Sequence, residues 1–312
     1  MRREKVGGCL VILLSVILLP CVITLLIGRE AAMPVSGEAD DGGGQIRLEE
    51  NGRRIDLQEY LIGVTAAQLQ GDTEVEVIKA QMILNRTYFY HRLGTRKALS
   101  GAELELQYLP SAEREARWIG EGVEDAKARF LQAAVETDGL VMTCQRQLAV
   151  GMYHRISSGQ TRDLSKDYPY IHSVDCEQDL LAPGYLTVVE YSRQALKKAL
   201  SDVCAEEITD DILQTGLQIL EKDGAGYVKT LLAGTEICEG DRFADALGLP
   251  SSAFSFQWPD NGMIRIICKG QGHGFGLSQY GASCMAKEGK TAAEILHYYF
   301  KNVVIETWKK GE

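Results

Sequence analysis

The residues best suited to chemistry in this chain lie in the run 268–282, which reads CKGQGHGFGLSQYGA. Four glycines alternate with other residues around His273, whose imidazole has a pKa near neutrality and can act as a base or bind a polar group. Glycine is typical of a backbone that takes positive φ or passes close to another group. The polar residues that follow, Ser278, Gln279 and Tyr280, favour a loop shaped around a polar ligand; a glycine-rich turn without a ligand is the alternative. The spacing fits neither a P-loop nor a dinucleotide fingerprint, so we exclude a phosphate cradle.

Hydrophobic periodicity predicts the elements that would position these residues. Apolar residues at helical spacing predict a helix that begins after Asp56 and ends near Gln68, and a second helix that begins near Thr73. In the second helix, the Thr73 hydroxyl and Glu76 have the spacing of a capping box. Residues 98–122 are polar and are expected to be irregular. The other predicted elements, in chain order, are a helix at 124–136, a hairpin of strands at 140–143 and 149–154, a strand at 188–191, a helix at 192–200, strands at 226–232 and 263–268, and a helix at 292–299.

The order of these elements predicts the fold class. Helices and strands do not alternate in a βαβ rhythm, so we expect an α+β fold with mixed helices and curved antiparallel sheets. With 312 residues, 45% of them hydrophobic, the chain can bury a sizeable core. We expect one structural unit with two lobes around a cleft.

The charge balance restricts the ligands. The net charge is −10 and the sequence has no long basic run, which argues against a nucleic-acid partner. An acidic chain does not attract an anionic polymer through its overall charge. Any binding to such a polymer must therefore come from local contacts.

The N-terminus has the pattern of a membrane anchor. Positive residues at positions 2, 3 and 5 precede an uncharged, mostly apolar run of 22 residues at 6–27. That length is sufficient to span a bilayer as a helix, and the positive flank would stay in the cytoplasm. We predict a single-pass transmembrane segment at 1–28, a flexible linker at 29–46 and an extracytoplasmic domain at 47–312. A cleaved signal peptide is the alternative.

Six cysteines lie in the predicted extracytoplasmic part. Six cysteines allow 15 pairings, among which the sequence cannot choose. None forms a CxxC pair, so the strong zinc-site spacing is absent. We expect free buried thiols for most of them.

Several motifs occur in one consistent order along the chain. They are EYLIGVTAAQLQ (59–70), EVIKAQMILNRTYFY (76–90), AVETDGLVM (134–142), SSGQT (157–161), YPYIHSV (168–174), LGLPSSAF (247–254), GHGFGLSQYGA (272–282) and EILHYYF (294–300). Together they cover roughly 47–307, and this part of the chain closely resembles the sporulation stage II protein D family, also called SpoIID/LytB.

The resemblance implies a reaction on peptidoglycan. Members that act on the cell wall are lytic transglycosylases, which cleave the β-1,4 bond between N-acetylmuramic acid and N-acetylglucosamine in glycan strands stripped of peptides. The muramoyl 6-hydroxyl closes on C1 and leaves a 1,6-anhydro end, so no water is consumed. One carboxyl group can serve as general acid for the leaving oxygen and as base for the hydroxyl.

At the position of the family's catalytic glutamate, this chain has Gln68. An amide has nearly the same shape as a carboxylic acid, yet it has no proton to give. Because general acid–base assistance contributes about 100- to 10,000-fold in rate, we expect a protein that relies on Gln68 to be slow or inactive. Glu76 and, after it, Glu74 are the nearest alternative acids. Glu76 also matches a family motif at a helix start, where its charge has a structural role.

The resemblance adds candidates for a glycan groove and a metal site. Arg86 would hold a sugar carboxylate, with a structural ion pair as the alternative. Zinc binding by some members makes His154, His172 and Cys176 a candidate zinc group, although the reaction requires no cofactor. His273 has hydrogen bonding to the backbone as its alternative role. The remaining residues that would line the groove are Ser157, Ser158, Thr161, Ser278, Gln279 and Tyr280.

Two functions are consistent with these features. The first is a membrane-anchored protein of spore engulfment with a transglycosylase-like site. The second is a non-catalytic module that binds glycan and enhances a cell-wall amidase. For both we expect glycan strands as the ligand, an amidase and engulfment proteins as partners, and a location at the cell membrane with the domain outside. A structural role in wall attachment is a third and weaker option.

Overall fold

A computed structural model of the chain describes residues 45–47, 54–200, 209, 212–259 and 262–308. By its contacts the chain separates into Met1–Asp41 and Gly42–Glu312, and every described residue lies in the second unit. The predicted anchor at 1–28 and most of the predicted linker at 29–46 lie outside the described residues. None of the helices in the described ranges has the length and apolar character needed to cross a membrane.

The described residues combine helices and strands, which confirms the mixed α+β class. The helices are α1 Leu57–Gln68, α2 Val75–Leu93, α3 Gly101–Leu104, α4 Ser111–Gly120, α5 Ala126–Glu136, α6 Arg193–Leu200, α7 Gly240–Ala246, α8 Gln279–Lys287 and α9 Ala292–Tyr299. The strands are β1 Gln45–Arg47, β2 Arg54–Ile55, β3 Ala98–Ser100, β4 Leu140–Cys144, β5 Gln147–Leu148, β6 Tyr153–His154, β7 Leu186–Ser192, β8 Leu217–Lys222, β9 Val228–Ala233, β10 Glu236–Glu239, β11 Phe254–Gln257, β12 Met263–Lys269, β13 Leu277–Ser278 and β14 Val304–Thr307.

Most strand pairs are antiparallel. Strand β12 lies between β11 and β7, and β9 lies between β10 and β8. Strand β4 lies between β5 and β14, which is the last described strand. The pairs β1–β3 and β6–β13 are parallel. The predicted hairpin after 140–143 is present, since β4 pairs with β5 and the Ala149 N–H donates to the Met142 carbonyl over 2.9 Å. Its second strand does not extend to 154, because 153–154 form β6, which pairs with β13 far along the chain.

Two large hydrophobic cores divide these elements into two lobes. The first core packs α1, α2 and α5 against β4, α8 and α9, and a smaller cluster under α1 and α2 extends it. The buried residues of the second core lie between Leu196 and Cys268, and Val189 and Tyr191 of β7 pack against them. The chain enters the second lobe at Tyr185 and leaves it at Gly270. The Gly270 N–H donates to the Tyr185 carbonyl over 2.7 Å. The second lobe is thus an insertion whose two ends meet.

The starts of α1 and α2 test the predicted helix caps. Asp56 is the N-cap of α1 and accepts from the backbone N–H groups of the first turn, as predicted. The predicted capping box at Thr73 is wrong, because α2 begins after Glu74 without a side-chain cap. The carboxylate of Glu76 instead accepts from the N–H of Ala292 over 2.7 Å, at the start of α9.

The stretch 98–122 is more ordered than expected, since it contains β3, α3 and α4. Helix α4 buries only Arg114 and Trp118, so its sequence is largely polar although its geometry is regular. A narrow buried stripe of this kind is weak as a sequence signal. The expectation of irregular structure is therefore wrong for this stretch.

The glycine-rich loop between β12 and β13 is shaped by its own chain. Its four glycines have positive φ: Gly270 73°, Gly272 100°, Gly274 79° and Gly276 70°. A Cβ at Gly274 would lie 2.3 Å from the Tyr227 ring. A Cβ at Gly276 would lie 2.2 Å from the carbonyl oxygen of Met152. The positive φ values and the close approach of neighbouring protein atoms both require glycine here. No ligand is needed to explain these glycines.

Candidate functional site

Gln68, at the last turn of α1, lies in a cluster of amide side chains. Its Oε1 accepts from Gln81 Nε2 over 3.0 Å and from Asn85 Nδ2 over 2.8 Å. Asn85 also donates to the Thr65 hydroxyl over 3.0 Å. Gln81 and Asn85 are buried and one turn apart on α2, whereas Gln68 is half-buried. Helix α2 therefore presents two N–H donors to the side chain at position 68.

Gln279, the first residue of α8, joins the same cluster. Its Nε2 makes long contacts of 3.4 Å to Gln81 Oε1 and 3.5 Å to the Gln68 carbonyl oxygen. The structure thus brings together two residues that the sequence analysis singled out, Gln68 and Gln279.

The cluster can donate and accept hydrogen bonds but cannot transfer a proton at accessible pH. With two donors directed at Gln68 Oε1, the Nε2 amide group is left as the donor that this side chain can offer to a ligand. Its described partners (Gln81, Asn85, Thr65 and Gln279) carry no carboxyl group.

The end of α1 is held by α4. Arg117 donates to the carbonyl of Ala66 over 2.7 Å and to the carbonyl of Leu69 over 3.2 Å. These are carbonyls of the last turn of a helix, which a cation stabilises. Arg117 therefore fixes the turn that carries Gln68.

Glu76 and Glu74 have other partners. Glu76 pairs with Lys79 and binds the first turn of α9. On α2 it lies five residues from Gln81, which is about 140° around the helix, so it faces away from the amide cluster. Glu74 pairs with Lys287 at 3.2 Å, at the far end of α8 from Gln279. Neither carboxylate belongs to the cluster around Gln68.

Asp179, which the sequence analysis did not identify, links two of the predicted groove motifs. It is fully buried, and its Oδ2 accepts from the Ser157 N–H over 2.6 Å and from the Ser278 hydroxyl over 2.7 Å. Ser278 is the N-cap of α8 and therefore sets the position of Gln279. Burial raises the pKa of Asp179, although its hydrogen bonds oppose that shift. Its Oδ1 has no hydrogen-bond partner among the described residues.

His273 and His154 have their rings 6.0 Å apart, and hydrogen bonds to the backbone hold both. His273 Nδ1 accepts from the Phe275 N–H over 3.0 Å, and His154 Nδ1 donates to the Phe275 carbonyl over 3.1 Å. Burial lowers the pKa of His154 to about 3. The packing around His273, which keeps an exposed edge, lowers its pKa as well, and the Arg162 guanidinium adds to that shift. Both imidazoles are therefore neutral at pH 7.

Arg162 follows the SSGQT motif and connects the two lobes. It pairs with Asp223 at 2.6 Å and with Asp241 at 3.1 Å, both in the second lobe. Its guanidinium lies 4.9 Å from the centre of the Tyr227 ring and 4.4 Å from that of Phe275. Sequence reasoning missed this residue.

Several predicted groove residues point into the protein. Arg86 is buried, and its guanidinium donates to the carbonyls of Thr137 and Leu140 rather than facing a groove. Ser157 and Thr161 are also buried. Thr161 Oγ1 accepts from the Val174 N–H over 2.9 Å.

Ser158 and Tyr280 are half-buried and remain closer to solvent. The Ser158 hydroxyl donates to the Ala225 carbonyl over 2.6 Å. The N–H of Tyr280 donates to the Arg155 carbonyl over 3.1 Å. Of the predicted groove positions, Ser158, His273, Gln279 and Tyr280 keep an accessible side chain next to the motifs.

The candidate zinc residues have separate partners. His172 Nε2 lies 3.0 Å from the Pro169 carbonyl, and Cys176 Sγ lies 3.8 Å from the Tyr299 hydroxyl. Across the described ranges no group of three or more histidine, cysteine, aspartate or glutamate side chains could hold a metal ion. Within the described ranges, Cys144, Cys176, Cys268 and Cys284 are free thiols.

The missed residues left a weak signal. On the predicted second helix, apolar residues at Ile78, Met82 and Phe89 follow helical spacing, and Asn85 interrupts this stripe. A buried amide on an apolar face needs a partner, which here is Gln68. Asp179 and Arg162 left no such signal, since Asp179 lies in a single 3₁₀ turn at Glu177–Leu181 and Arg162 in an isolated bridge with Phe275, both too short for a sequence period.

Known proteins resemble this chain over most of its length. A family model described as "Stage II sporulation protein" matches residues 49–144, which include α1, α2 and β4. Stage II sporulation protein D of Bacillus subtilis (strain 168) is 29% identical over 264 residues, which cover 80% of this chain and 74% of that protein. Stage II sporulation protein D of Bacillus amyloliquefaciens is 27% identical with the same coverage. An uncharacterized protein of Brachyspira hyodysenteriae is 26% identical over 271 residues, 82% of this chain and 68% of that protein. The chain is thus similar to stage II sporulation protein D over about 80% of its length, and its residues 49–144 match the family model.

Proposed function

We propose that this is a sporulation protein that binds the glycan strands of peptidoglycan through a transglycosylase-like site in which Gln68 stands in place of the acid. The names of the relatives support the role in sporulation. The proposed glycan binding without cleavage rests on the amide cluster. Gln81 and Asn85 donate to Gln68, and none of the described side chains in the cluster is an acid that could protonate a glycosidic oxygen.

The cluster favours binding over cleavage. The Nε2 amide group of Gln68 can donate to a sugar oxygen, because its Oε1 is the atom that Gln81 and Asn85 engage. Protonation of a glycosidic oxygen requires an acid, and the two alternative acids named above, Glu74 and Glu76, are engaged elsewhere. A protein of this kind acts by holding strands for a partner hydrolase, such as a cell-wall amidase.

The N-terminal apolar run supports a membrane location within the same proposal. A segment of 22 uncharged, mostly apolar residues behind three positive ones would anchor the chain and place the domain outside the cytoplasm. Proteolysis of sealed protoplasts tests this: the domain is digested from outside if it is extracytoplasmic, and is protected if it is not.

A gain-of-function substitution tests the site. Full-length protein in detergent micelles is incubated with peptide-free glycan strands, and 1,6-anhydro ends are quantified by mass spectrometry. We expect no anhydro ends from the wild type. Gln68→Glu restores a carboxyl group at the end of α1 and should raise cleavage by about 100- to 10,000-fold above that background, with strand binding unchanged.

A matched control is Gln81→Glu, which makes the same chemical change on the neighbouring helix. It should bind strands without cleaving them, because position 81 is buried behind Gln68. Anhydro ends from the wild type would contradict the proposal and would direct mutagenesis to Glu76→Gln. A failure of wild type and variant alike to bind strands would refute glycan binding itself.

A further inference from the structure

Strand β7 is an edge of the three-stranded sheet in the second lobe. It pairs with β12 on one side, and no strand of the described ranges lies on its other side. Every residue of β7 is exposed or half-buried, whereas every second residue of β12, in the middle of the sheet, is buried. The described residues thus leave a strand of seven residues accessible along its length.

The ladder between β7 and β12 shows which backbone groups of β7 are used. The Lys269 N–H donates to the Ala253 carbonyl, on the β11 side of β12. Successive residues of a strand direct their backbone groups to opposite sides, so Cys268 directs its N–H and C=O towards β7, where it pairs with Thr187. The odd-numbered residues of β7 therefore bond to β12.

The even-numbered residues of β7 direct their backbone groups outward. The hydrogen bond from the Gly270 N–H to the Tyr185 carbonyl follows the same alternation one step further along. In the described ranges, no backbone hydrogen bond uses the N–H and C=O groups of Leu186, Val188 and Glu190 on the outer side. The side chains of Leu186 and Val188 are 59% and 56% exposed. Both the backbone and the side chains at this edge are therefore open to a partner.

The other edges of the two sheets in this lobe are protected against pairing. Strand β11 has four residues and is soon followed by Pro259. Strand β8 has an irregular register, and β10 has four residues with a glutamate at each end. Short length, proline, bulges and charge are the features by which proteins prevent edge pairing. Strand β7 has a regular register, and its one charged residue, Glu190, is neutralised by Arg265 at 2.7 Å.

We propose that two copies of this chain pair through β7, antiparallel and about a twofold axis at Val188. In this register Val188 lies opposite itself, and Leu186 of each copy lies opposite Glu190 of the other. Outward-directed residues of one copy then meet outward-directed residues of the other, and such pairs exchange both N–H···O bonds. All the unused N–H and C=O groups of these residues are satisfied, and the two three-stranded sheets become one continuous sheet.

The strand complements itself in this register, which favours a second copy as the occupant. The two copies of Val188 form a β-branched cross-strand pair, which is favourable in a sheet. Glu190 keeps its ion pair with Arg265 and lies opposite Leu186, so no like charges oppose each other.

Neighbouring registers use the edge less well. An axis at Thr187 places Glu190 opposite Gly184, which precedes the strand. An axis at Val189 separates the two copies of Val188 and places each of them opposite Glu190. The axis at Val188 is the register that pairs the three outward-directed residues only with one another.

This pairing goes beyond the proposed function and does not depend on glycan binding. Strand β7 belongs to the second lobe, whereas Gln68 lies in the first. The dimer would carry two amide clusters, and a glycan strand that reached both would be held more tightly than by one.

Cysteine cross-linking tests the register. Full-length protein in detergent micelles is oxidised with copper phenanthroline, and linked dimer is measured on non-reducing gels. The two copies of residue 188 would have their Cα atoms about 5.5 Å apart, which a disulfide can bridge. Val188→Cys should give on the order of tenfold more linked dimer than Glu190→Cys, whose two copies would lie roughly 15 Å apart.

A mixture of two variants is the matched control. Leu186→Cys and Glu190→Cys should each fail to link alone and should link when the two proteins are mixed, because these positions lie opposite each other. The unmodified chain measures the background from its native cysteines.

A second measurement reports on the mass of the assembly. Sedimentation equilibrium in density-matched detergent should give the wild type twice the chain mass of 34.4 kDa and give Val188→Pro the mass of one chain. Proline at 188 removes an outward N–H and leaves the bonds to β12 in place. Val188→Thr keeps that N–H and the β-branched shape, and should remain a dimer.

Each outcome decides the proposal. A monomeric wild type would overturn it and leave the edge to a strand of another protein. A dimer that persists in Val188→Pro, or equal linking of Val188→Cys and Glu190→Cys, would show that the copies meet elsewhere. If Val188→Pro does not fold, the cross-linking pattern decides by itself.

Discussion

The difference between an amide and a carboxylate at position 68 decides what the site can do. Gln68 occupies a position where two N–H donors, from Gln81 and Asn85, converge on one oxygen. Such a pair of donors would serve a carboxylate equally well, and would help to orient it. The surroundings are therefore compatible with an acid that the chain does not have. For this reason, Gln68→Glu is a test of the whole site with a single change.

The titration of Asp179 should make the stability of the protein depend on pH. Because burial raises its pKa in the folded state, the folded protein retains the proton at pH values where the unfolded chain has lost it. The stability that this proton contributes is fully present below the unfolded pKa of about 3.9 and is lost as pH rises through the folded pKa. Asp179→Asn keeps an oxygen that can accept from Ser157 and Ser278 but does not titrate.

Urea unfolding at a series of pH values measures this effect. The stability of the wild type relative to Asp179→Asn should fall as pH rises from about 3.9 towards 7. Asp163→Asn is the control with the opposite sign, since the hydrogen bond from Ser165 lowers the pKa of Asp163. The free energy of unfolding of the wild type should exceed that of Asp163→Asn above the unfolded pKa, and this difference should be lost as pH falls. A difference that is flat with pH for Asp179→Asn would contradict the prediction.

Sequence reasoning reached part of the site for identifiable physical reasons. Gln68 and Gln279 both lie in motifs that the sequence analysis singled out, and the structure places them in contact. Asp179 lies 99 residues from Ser278, to which it bonds, and no local pattern indicates such a contact. Arg86 was considered for sugar binding because of its charge. Only its burial and the carbonyls of Thr137 and Leu140 reveal its internal role.

At the scale of elements, local signals predicted helices better than strand pairs. The helix at Ala292–Tyr299 was predicted with its observed bounds, and the structure shows a capping box between Thr291 and Glu294 at its start. Strand β4 was predicted, but its main partner, β14, is more than 150 residues away. Pairing at that separation depends on the packing of α2 and α9 against the same core, which a local reading cannot include.

The glycine-rich loop gives a prediction at this scale. Gly274→Ala places a methyl group 2.3 Å from the Tyr227 ring at a φ of 79°, so both strain and overlap oppose it. We expect a loss of about 3 kcal/mol in the free energy of unfolding. Thermal unfolding by calorimetry measures the loss.

Gly289→Ala separates the two causes. Gly289 has a φ of 87°, yet a Cβ there would meet nothing within 4 Å. This control should lose only about 1 kcal/mol, which is the cost of the backbone conformation. Equal losses at the two positions would show that the contact with Tyr227 is not important for stability.

At the scale of the whole molecule, Arg162 joins the lobes. It bonds to Asp223 and Asp241 of the second lobe and packs on Tyr227 and Phe275. Arg162→Gln removes this contact and leaves Asp223 with an uncompensated charge. We expect a loss of about 3 kcal/mol, at the low end for a buried pair because Asp241 is half exposed.

Hydrogen exchange locates the effect of Arg162→Gln. Exchange should accelerate at the Tyr227 turn and in the glycine-rich loop before it does so in α2. Arg265→Gln is the control, since Arg265 pairs with Glu190 on the exposed face of the sheet and should contribute less than about 1 kcal/mol. Uniform acceleration across both lobes would argue against Arg162 as the joint between them.

The insertion of the second lobe has a consequence for the order of folding. The buried residues of that core lie between Leu196 and Cys268, and its central sheet adds β7, so every part of the lobe is present once the chain has reached Lys269. The core of the first lobe needs α1 from the beginning of the domain together with α9 and Val303 near its end. Loop closure over that distance must wait until α9 and Val303 have been synthesised. During synthesis or export, the inserted lobe can therefore fold while the segment that carries Gln68 is still waiting for its partners.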